Sequence, residues 1–435
     1  MSKAQSVTGR AKGVRPAMRT VALEGLFASA SDFFAVPYVS LFALSLGASK
    51  TQIGLIAAVT ALLGGVMQLP ITVITEGRWS RKYWCVLSSL VARGLWIPIA
   101  LIPFYASGQR AIWLFVALIA LRSLGSALGL PAWTTLVADI VPRGLRGRFF
   151  SYRNILVNMA GLVSVLIGGW LIRTWGAPLG YQVSFLAASA CGLVAVVVFS
   201  RLEEPQSVGE AQRTPRSVED HLSLRQRLTM VRAHLKQERQ FTRYAITALF
   251  WNAGLSLPQP LFSLYFVQEL GGADYLWGLL SATGTLSTVF GQRYWGPLAD
   301  RFGGQRIMII SGLGAMSVPL LYWLAPDYRY VFAFNVVTAF AWAGYNLGAF
   351  NLLLEITPNE RRGTYVAGYN GLVGLASAVS PLIGGLLAEN VGIHPTFFLS
   401  FALRLTGWLL FILLVRPPSG EPIDWRQFIP GMRYR

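Results

Sequence analysis

Two carboxylates and one guanidinium stand in stretches of sequence that are otherwise oil: Glu24 and Asp32 in one apolar run, Arg122 in another. An ionisable side chain inside a hydrocarbon-spanning helix costs at least about 2–3 kcal/mol, so each needs a partner or a task. At roughly 100° per residue, Glu24 and Asp32 lie about 80° apart on a helix. They share a broad face with Ala28, Ser31 and Ala35, and small and polar residues together mark a face turned to protein or water. In the other run Arg122, Ser126, Gly129 and Trp133 fall on one stripe, which offers the acids a counter-ion. A carboxylate taken out of water favours its protonated form, and an approaching arginine reverses that preference. Such a pair can load and release a proton, or it can be a static tie between two helices. For Asp32 both readings stay open; Glu24, nearer the helix end, reads as the tie.

A second set is polar but uncharged. Asn252, Ser256 and Gln259 recur at helical spacing where Pro258 and Pro260 must break or kink the helix. Asn335, Trp342 and Asn346 make another stripe, with Tyr345 beside it. Amides among aromatic rings suit a neutral, hydrogen-bonding or partly aromatic ligand. Each residue taken singly serves equally as glue between helices, but the stripe as a whole points to a cavity. A third set is "GPLADRFGGQR", Gly296 to Arg306, between two greasy runs. Its glycines, Gly296 and Gly303 among them, permit a tight reversal. Asp300 is placed to cap a helix or to pair with arginines of another element, while Arg301 and Arg306 hold the turn at a charged membrane face.

The elements that position these residues follow from composition. The chain has 435 residues, is 54% hydrophobic and only 13% charged, with mean hydropathy +0.50. Twelve apolar runs long enough to cross a bilayer lie near 20–46, 52–76, 84–106, 111–138, 150–173, 182–200, 243–270, 275–298, 306–325, 329–354, 365–389 and 395–415. We number them spans 1 to 12. Lys and Arg gather in the loops of one side, which puts both termini in the cytoplasm by the positive-inside bias. The net charge of +18 is therefore topological and lipid-facing, and no nucleic-acid partner is expected. The run in span 1 is too long for a signal-peptide core and is read as retained. Cys85 and Cys191 give neither a disulfide framework nor a metal spacing. No Gly-Lys dipeptide and no H-E-x-x-H occurs, and His221, His234 and His394 all lie outside the spans, so neither a P-loop nor a histidine metal centre is expected. No cofactor and no enzymatic activity are expected; gradients must supply the energy.

The expected organisation is a cytoplasmic tail over 1–19, a six-helix bundle over 20–200, a polar linker over 201–242, a second bundle over 243–416 and a tail over 417–435. In the linker, Leu224, Leu228, Val231 and Leu235 form one face of a basic amphipathic helix. The two bundles are copies. "DIVPRGLRGRFFSYRN" (Asp139–Asn154) aligns with "EITPNERRGTYVAGYN" (Glu355–Asn370) at an offset of 216, which also sets Gly168-Gly169 on Gly384-Gly385. An offset of 224 sets Gly54 on Gly278 and Glu76 on Asp300. Six spans repeated in the same orientation make a parallel repeat.

"G-x-L-A-D-R-x-G" followed by Arg306 resembles the signature loop of the major facilitator superfamily, and twelve spans in a 6+6 repeat extend the resemblance over essentially the whole chain. The first-half copy, "TVITEGRWSRK" at 72–82, departs from it with Thr72 and Glu76 but keeps Arg81. The resemblance implies an all-α membrane fold in which spans 1, 4, 7 and 10 line a central cavity. It implies a cytoplasmic gate in which Glu76, Arg81, Asp139 and Arg148 face Asp300, Glu355 and Arg362. "RSLGSALG" (Arg122–Gly129) loosely resembles the span-4 motif of proton-coupled members, and acids in span 1 resemble drug/proton antiporters. The span-5 signature "GPxxGG" of those antiporters is missing, and its nearest match, "SPLIGG", falls in span 11. The expectation is a monomeric, proton-coupled secondary transporter of a bacterial inner membrane, exporting amphipathic compounds. Sugar or metabolite uptake and a non-transporting scaffold or sensor are the alternatives. Arg93 and Arg404, alone in spans 3 and 12, are left to snorkelling or to carbonyl hydrogen bonds.

Overall fold

The structure, a computed structural model, describes residues 2–66, 80–142, 145–202, 239–357 and 362–415. These form sixteen α-helices. α1 (Ser2–Ala35) and α2 (Val39–Ser45) make span 1; α3 (Lys50–Ala61) and a π turn (Leu62–Val66) begin span 2; α4 (Arg81–Gly94) and α5 (Trp96–Tyr105) make span 3. α6 (Gly108–Ile140), α7 (Arg146–Trp175) and α8 (Leu179–Ser200) complete the first bundle. α9 (Arg239–Ser256) and α10 (Leu261–Gln268) make span 7, and α11 (Asp274–Phe302) makes span 8. α12 (Gly304–Met316) and α13 (Val318–Leu324) make span 9, followed by α14 (Tyr328–Ile356), α15 (Arg362–Asn390) and α16 (Ile393–Leu414). Helix α1 reaches back through the expected tail, and the amphipathic stretch 224–235 lies outside the described residues.

Nine of the described spans are long and apolar enough to cross a membrane. The other three have local reasons to fall short. Span 2 is described only to 66, span 7 is split at Pro258 and Pro260, and span 8 carries Gln292 and Arg293. Proline removes a backbone donor and crowds the carbonyl four residues earlier. The breaks in spans 1 and 7 accordingly contain Pro37 and Pro258, and those in spans 3 and 9, at Leu95 and Ser317, stand just ahead of Pro98 and Pro319.

In the first bundle α1 packs on α7 and α8, and α4 on α6; in the second α9 packs on α16, and α14 on α11 and α12. The bundles meet through two repeat-related pairs, α3 with α15 and α11 with α7. The duplicated glycines build both seams. A Cβ on Gly385 would lie 2.6 Å from the Lys50 carbonyl, and one on Gly169 would lie 2.8 Å from the Tyr275 carbonyl. Their opposite numbers, Gly54 and Gly278, touch Pro381 and Tyr38 across the same seams. Only glycine allows backbones this close.

The apolar core shows how the halves sit. At the outer end one continuous core runs through both bundles, from Tyr38, Phe42 and Phe185 to Leu264, Phe266 and Phe397. At the inner end the described residues form separate cores, one around Leu136 and Phe149 in the first bundle, others around Phe241 and Trp295 in the second.

Candidate functional site

Inside the second bundle lies a cavity of about 570 Å³. Asn252, Ser256 and Gln259 line it from span 7, and Asn335, Trp342, Tyr345 and Asn346 line it from α14. One wall is a stack of three rings: Trp251 and Tyr345 lie 4.3 Å apart at 17°, and Trp342 and Tyr345 lie 5.7 Å apart at 10°. Part of the polar lining is spent on the protein. Asn335 Nδ2 donates to the Leu280 carbonyl at 2.8 Å, Asn252 Nδ2 to the Ala248 carbonyl at 2.8 Å, and the Ser256 and Ser377 hydroxyls meet at 3.2 Å. The side-chain amides of Gln259 and Asn346 carry no hydrogen bond among the described residues, which leaves both for a ligand.

The first-bundle candidates do not reach this cavity. Ser31 is fully buried with its hydroxyl unpartnered, Ser126 is exposed, and Trp133 lies under the Arg153 guanidinium at 4.8 Å. Gly129 abuts Ser88 rather than open space, so the stripe expected on span 4 is divided between packing and surface. The charged residues do come together. Arg122 Nη2 lies 3.1 Å from Asp32 Oδ1, with the guanidinium 4.3 Å over the Trp96 ring. Arg122 is covered, whereas the Asp32 side chain is 51% exposed. Eight residues away Glu24 is only 9% exposed and sits between Arg93 at 4.0 Å and Arg153 at 3.8 Å. Both contacts are long, and Glu24 Oε2 accepts no hydrogen bond among the described residues. Arg153, seven residues into α7, is thereby drawn into the bundle.

The profile of the Major Facilitator Superfamily matches residues 21–273 and 244–431. The chain belongs to the major facilitator superfamily. That is a family of membrane transporters rather than enzymes, and the chain is a multi-pass membrane protein of bacterial inner-membrane type. Multidrug resistance protein MdtG of Serratia proteamaculans (strain 568) is 32% identical over 170 residues, 38% of this chain and 41% of MdtG. The chain thus spans less than half the length of the MdtG relatives it matches. The uncharacterized MFS-type transporter YuxJ of Bacillus subtilis (strain 168) is 25% identical over 397 residues, 88% of this chain and 95% of YuxJ. A variant of the nucleoside transporter NupG superposes with a TM-score of 0.72 at 12% identity, covering 93% of this chain and 100% of NupG. At that identity the likeness shows the fold.

In the superfamily signature loop Asp300 ends span 8 and Arg306 opens span 9, with a tighter reversal between them than two glycines would need. α11 runs unbroken through Gly296, Pro297 and Asp300 to Phe302, so Gly296 is helical and only Gly303, at φ +81°, makes the turn. Asp300 is exposed, without an ion pair among the described residues, and Arg301 lies 5.1 Å over the Phe302 ring. Arg306 sits in the first turn of α12. Arg148 and Glu355 are exposed at the inner ends of α7 and α14, and Arg81 opens α4. Asp139 and Arg362 belong to α6 and α15, with side chains outside the description, and Glu76 lies outside the described residues.

Sequence reasoning missed a latch at the opposite face. Glu389, at the end of α15, accepts from Ser49 Oγ and from the Thr51 amide, both at 2.9 Å, and so caps the N-terminus of α3 from the other bundle. Tyr181 donates to Asp274 Oδ2 at 2.7 Å, and Arg173 lies 5.4 Å over Tyr275. It also missed Trp251, Tyr369 and Arg404 in the cavity wall. Trp251 directly precedes Asn252 on the cavity helix, and that was the signal available for it.

Proposed function

We propose that the chain is a secondary transporter that moves a small organic solute by alternating access, with proton coupling and export of amphipathic compounds. The observation that carries this reading is the asymmetry of the core. Among the described residues the bundles fuse into one core at the outer end and keep separate cores at the inner end, which is what a cavity reached from the cytoplasm requires. The half-exposed Asp32 carboxylate paired with a covered Arg122 across spans 1 and 4 supports coupling at this pair, since it is a charge contact open to solvent inside the bundle. The local likeness to MdtG and the ring-lined cavity support export of amphipathic solutes. A proteoliposome assay tests this directly. An imposed pH gradient is expected to drive accumulation of an amphipathic dye by the native protein, and Asp32→Asn is expected to abolish that response. Full response in Asp32→Asn defeats the coupling.

Uptake of a polar metabolite is the second reading. It is favoured by the unspent amides of Gln259 and Asn346, which suit a hydroxyl-bearing solute.

A further inference from the structure

Arg404 stands in the middle of α16, 2% exposed, with no carboxylate near it. The acids of the described second half all sit at span ends: Glu269, Asp274, Asp327 and Glu389 outside, Asp300 and Glu355 inside. Of the first-bundle acids whose side chains are described, Glu24 and Asp32 already face Arg93, Arg122 and Arg153. Among the described residues Arg404 is therefore an uncompensated positive charge within the bundle, an arrangement that costs several kcal/mol unless something answers it.

Two of its nitrogens explain how it is held. Nε donates to the Gly254 carbonyl at 3.3 Å and Nη1 to the Ala315 carbonyl at 2.9 Å. Four residues beyond these carbonyls stand Pro258 and Pro319, so neither carbonyl has its helical donor. Arg404 thus spans the broken spans 7 and 9, with its stem against Gly254. That task does not need a charge. Ser400 Oγ already donates to the Gly254 carbonyl at 2.6 Å, and a side-chain amide reaching the other would satisfy both without burying a cation. The third nitrogen, Nη2, has no partner among the described residues, and Arg404 lines the cavity that holds the Trp251–Tyr345–Trp342 stack.

We infer that the solute carries an anionic group, a carboxylate or its like, received by Arg404 Nη2 while an aromatic or apolar body lies on the ring stack. An arginine pinned by two carbonyls is pre-organised, so a bound anion gains the charge without paying to order the side chain. This names the solute class of the transporter proposed above and rests on that reading only for the transport itself.

The test is calorimetry on the full chain in nanodiscs at neutral pH, with three probes sharing one ring system: naphthylacetate, naphthylacetamide and naphthylethylamine. The acetate is expected to bind at least tenfold more tightly than the amide, and the amine no more tightly than the amide. Arg404→Gln, which keeps a donor for one carbonyl, is expected to bring the acetate to the level of the amide while the amide changes less than twofold. If that variant fails to fold, the ranking on the native chain decides alone. Equal binding of acetate and amide, or binding of none of the three, overturns the inference. Flux in proteoliposomes separates the two readings. Charge-selective binding with no gradient-driven flux sinks the transporter and leaves the anion site; flux without charge preference does the reverse.

Discussion

Glu24 and Asp32 share a helix face and differ in everything around them. Glu24 is enclosed by two arginines from other spans, so its loss strands both cations in the bundle. Removing one partner of a buried pair costs about 3–5 kcal/mol. Glu24→Gln is therefore expected to lower the thermal midpoint of the detergent-purified protein by several degrees. Asp32→Asn, at a half-exposed site, is expected to leave that midpoint nearly unchanged while removing the response to a pH gradient. A thermal scan of the two variants side by side checks the contrast; equal destabilisation contradicts it. That Arg122 meets an acid of span 1 was legible from the sequence, because few other charges share those spans; that the acid is Asp32 rather than Glu24 was not. The pairing of Glu24 with Arg93 and Arg153 was not. It depends on the relative depth of spans 1, 3 and 5, and side-chain periodicity within one helix carries no information on depth between helices. Arg404 was legible as an isolated charge, and its carbonyl partners follow from Pro258 and Pro319 once the spans are known to touch.

Among the elements, the seams between bundles carry the sharpest consequences. The glycine pairs that close α3 on α15 and α7 on α11 leave no room for a side chain. Gly385→Val is expected to hold the outer face open. A cysteine at half-buried Ser49 is expected to label with a membrane-impermeant maleimide severalfold faster in that variant than in the parent. Unchanged labelling removes the seam from the gating account. Glu389→Gln is expected to act in the same direction more weakly, since it keeps an acceptor for Ser49 and Thr51 but loses the charge at the α3 N-terminus. The repeat was plain in the sequence, and it foretold which glycines are equivalent. It did not foretell that equivalent glycines lie in two separate seams, each completed by the other half. The loop after span 8 was largely legible: a span near 275–298 already held Gly296 and Pro297, and α11 extends it only as far as Phe302 before Gly303 turns the chain.

At the scale of the whole molecule, twelve spans, two bundles and an inward concentration of basic loops were all present in composition and spacing. The division of the described core into one outer mass and separate inner masses was not, since it is a property of one arrangement of the bundles rather than of any segment. A solute is moved if the bundles exchange that arrangement for its mirror: outer core parted, inner cores joined. The most direct measurement is a pair of spin-label distances on the reconstituted protein with Cys85 and Cys191 replaced. One pair is Tyr152→Cys with Phe350→Cys near the inner ends, and the other is Tyr105→Cys with Leu324→Cys at the outer ends. Between the two sides of an imposed pH gradient, or on adding naphthylacetate, the inner distance is expected to shorten as the outer distance lengthens. Two distances that stay fixed under every gradient and ligand contradict alternating access in this protein.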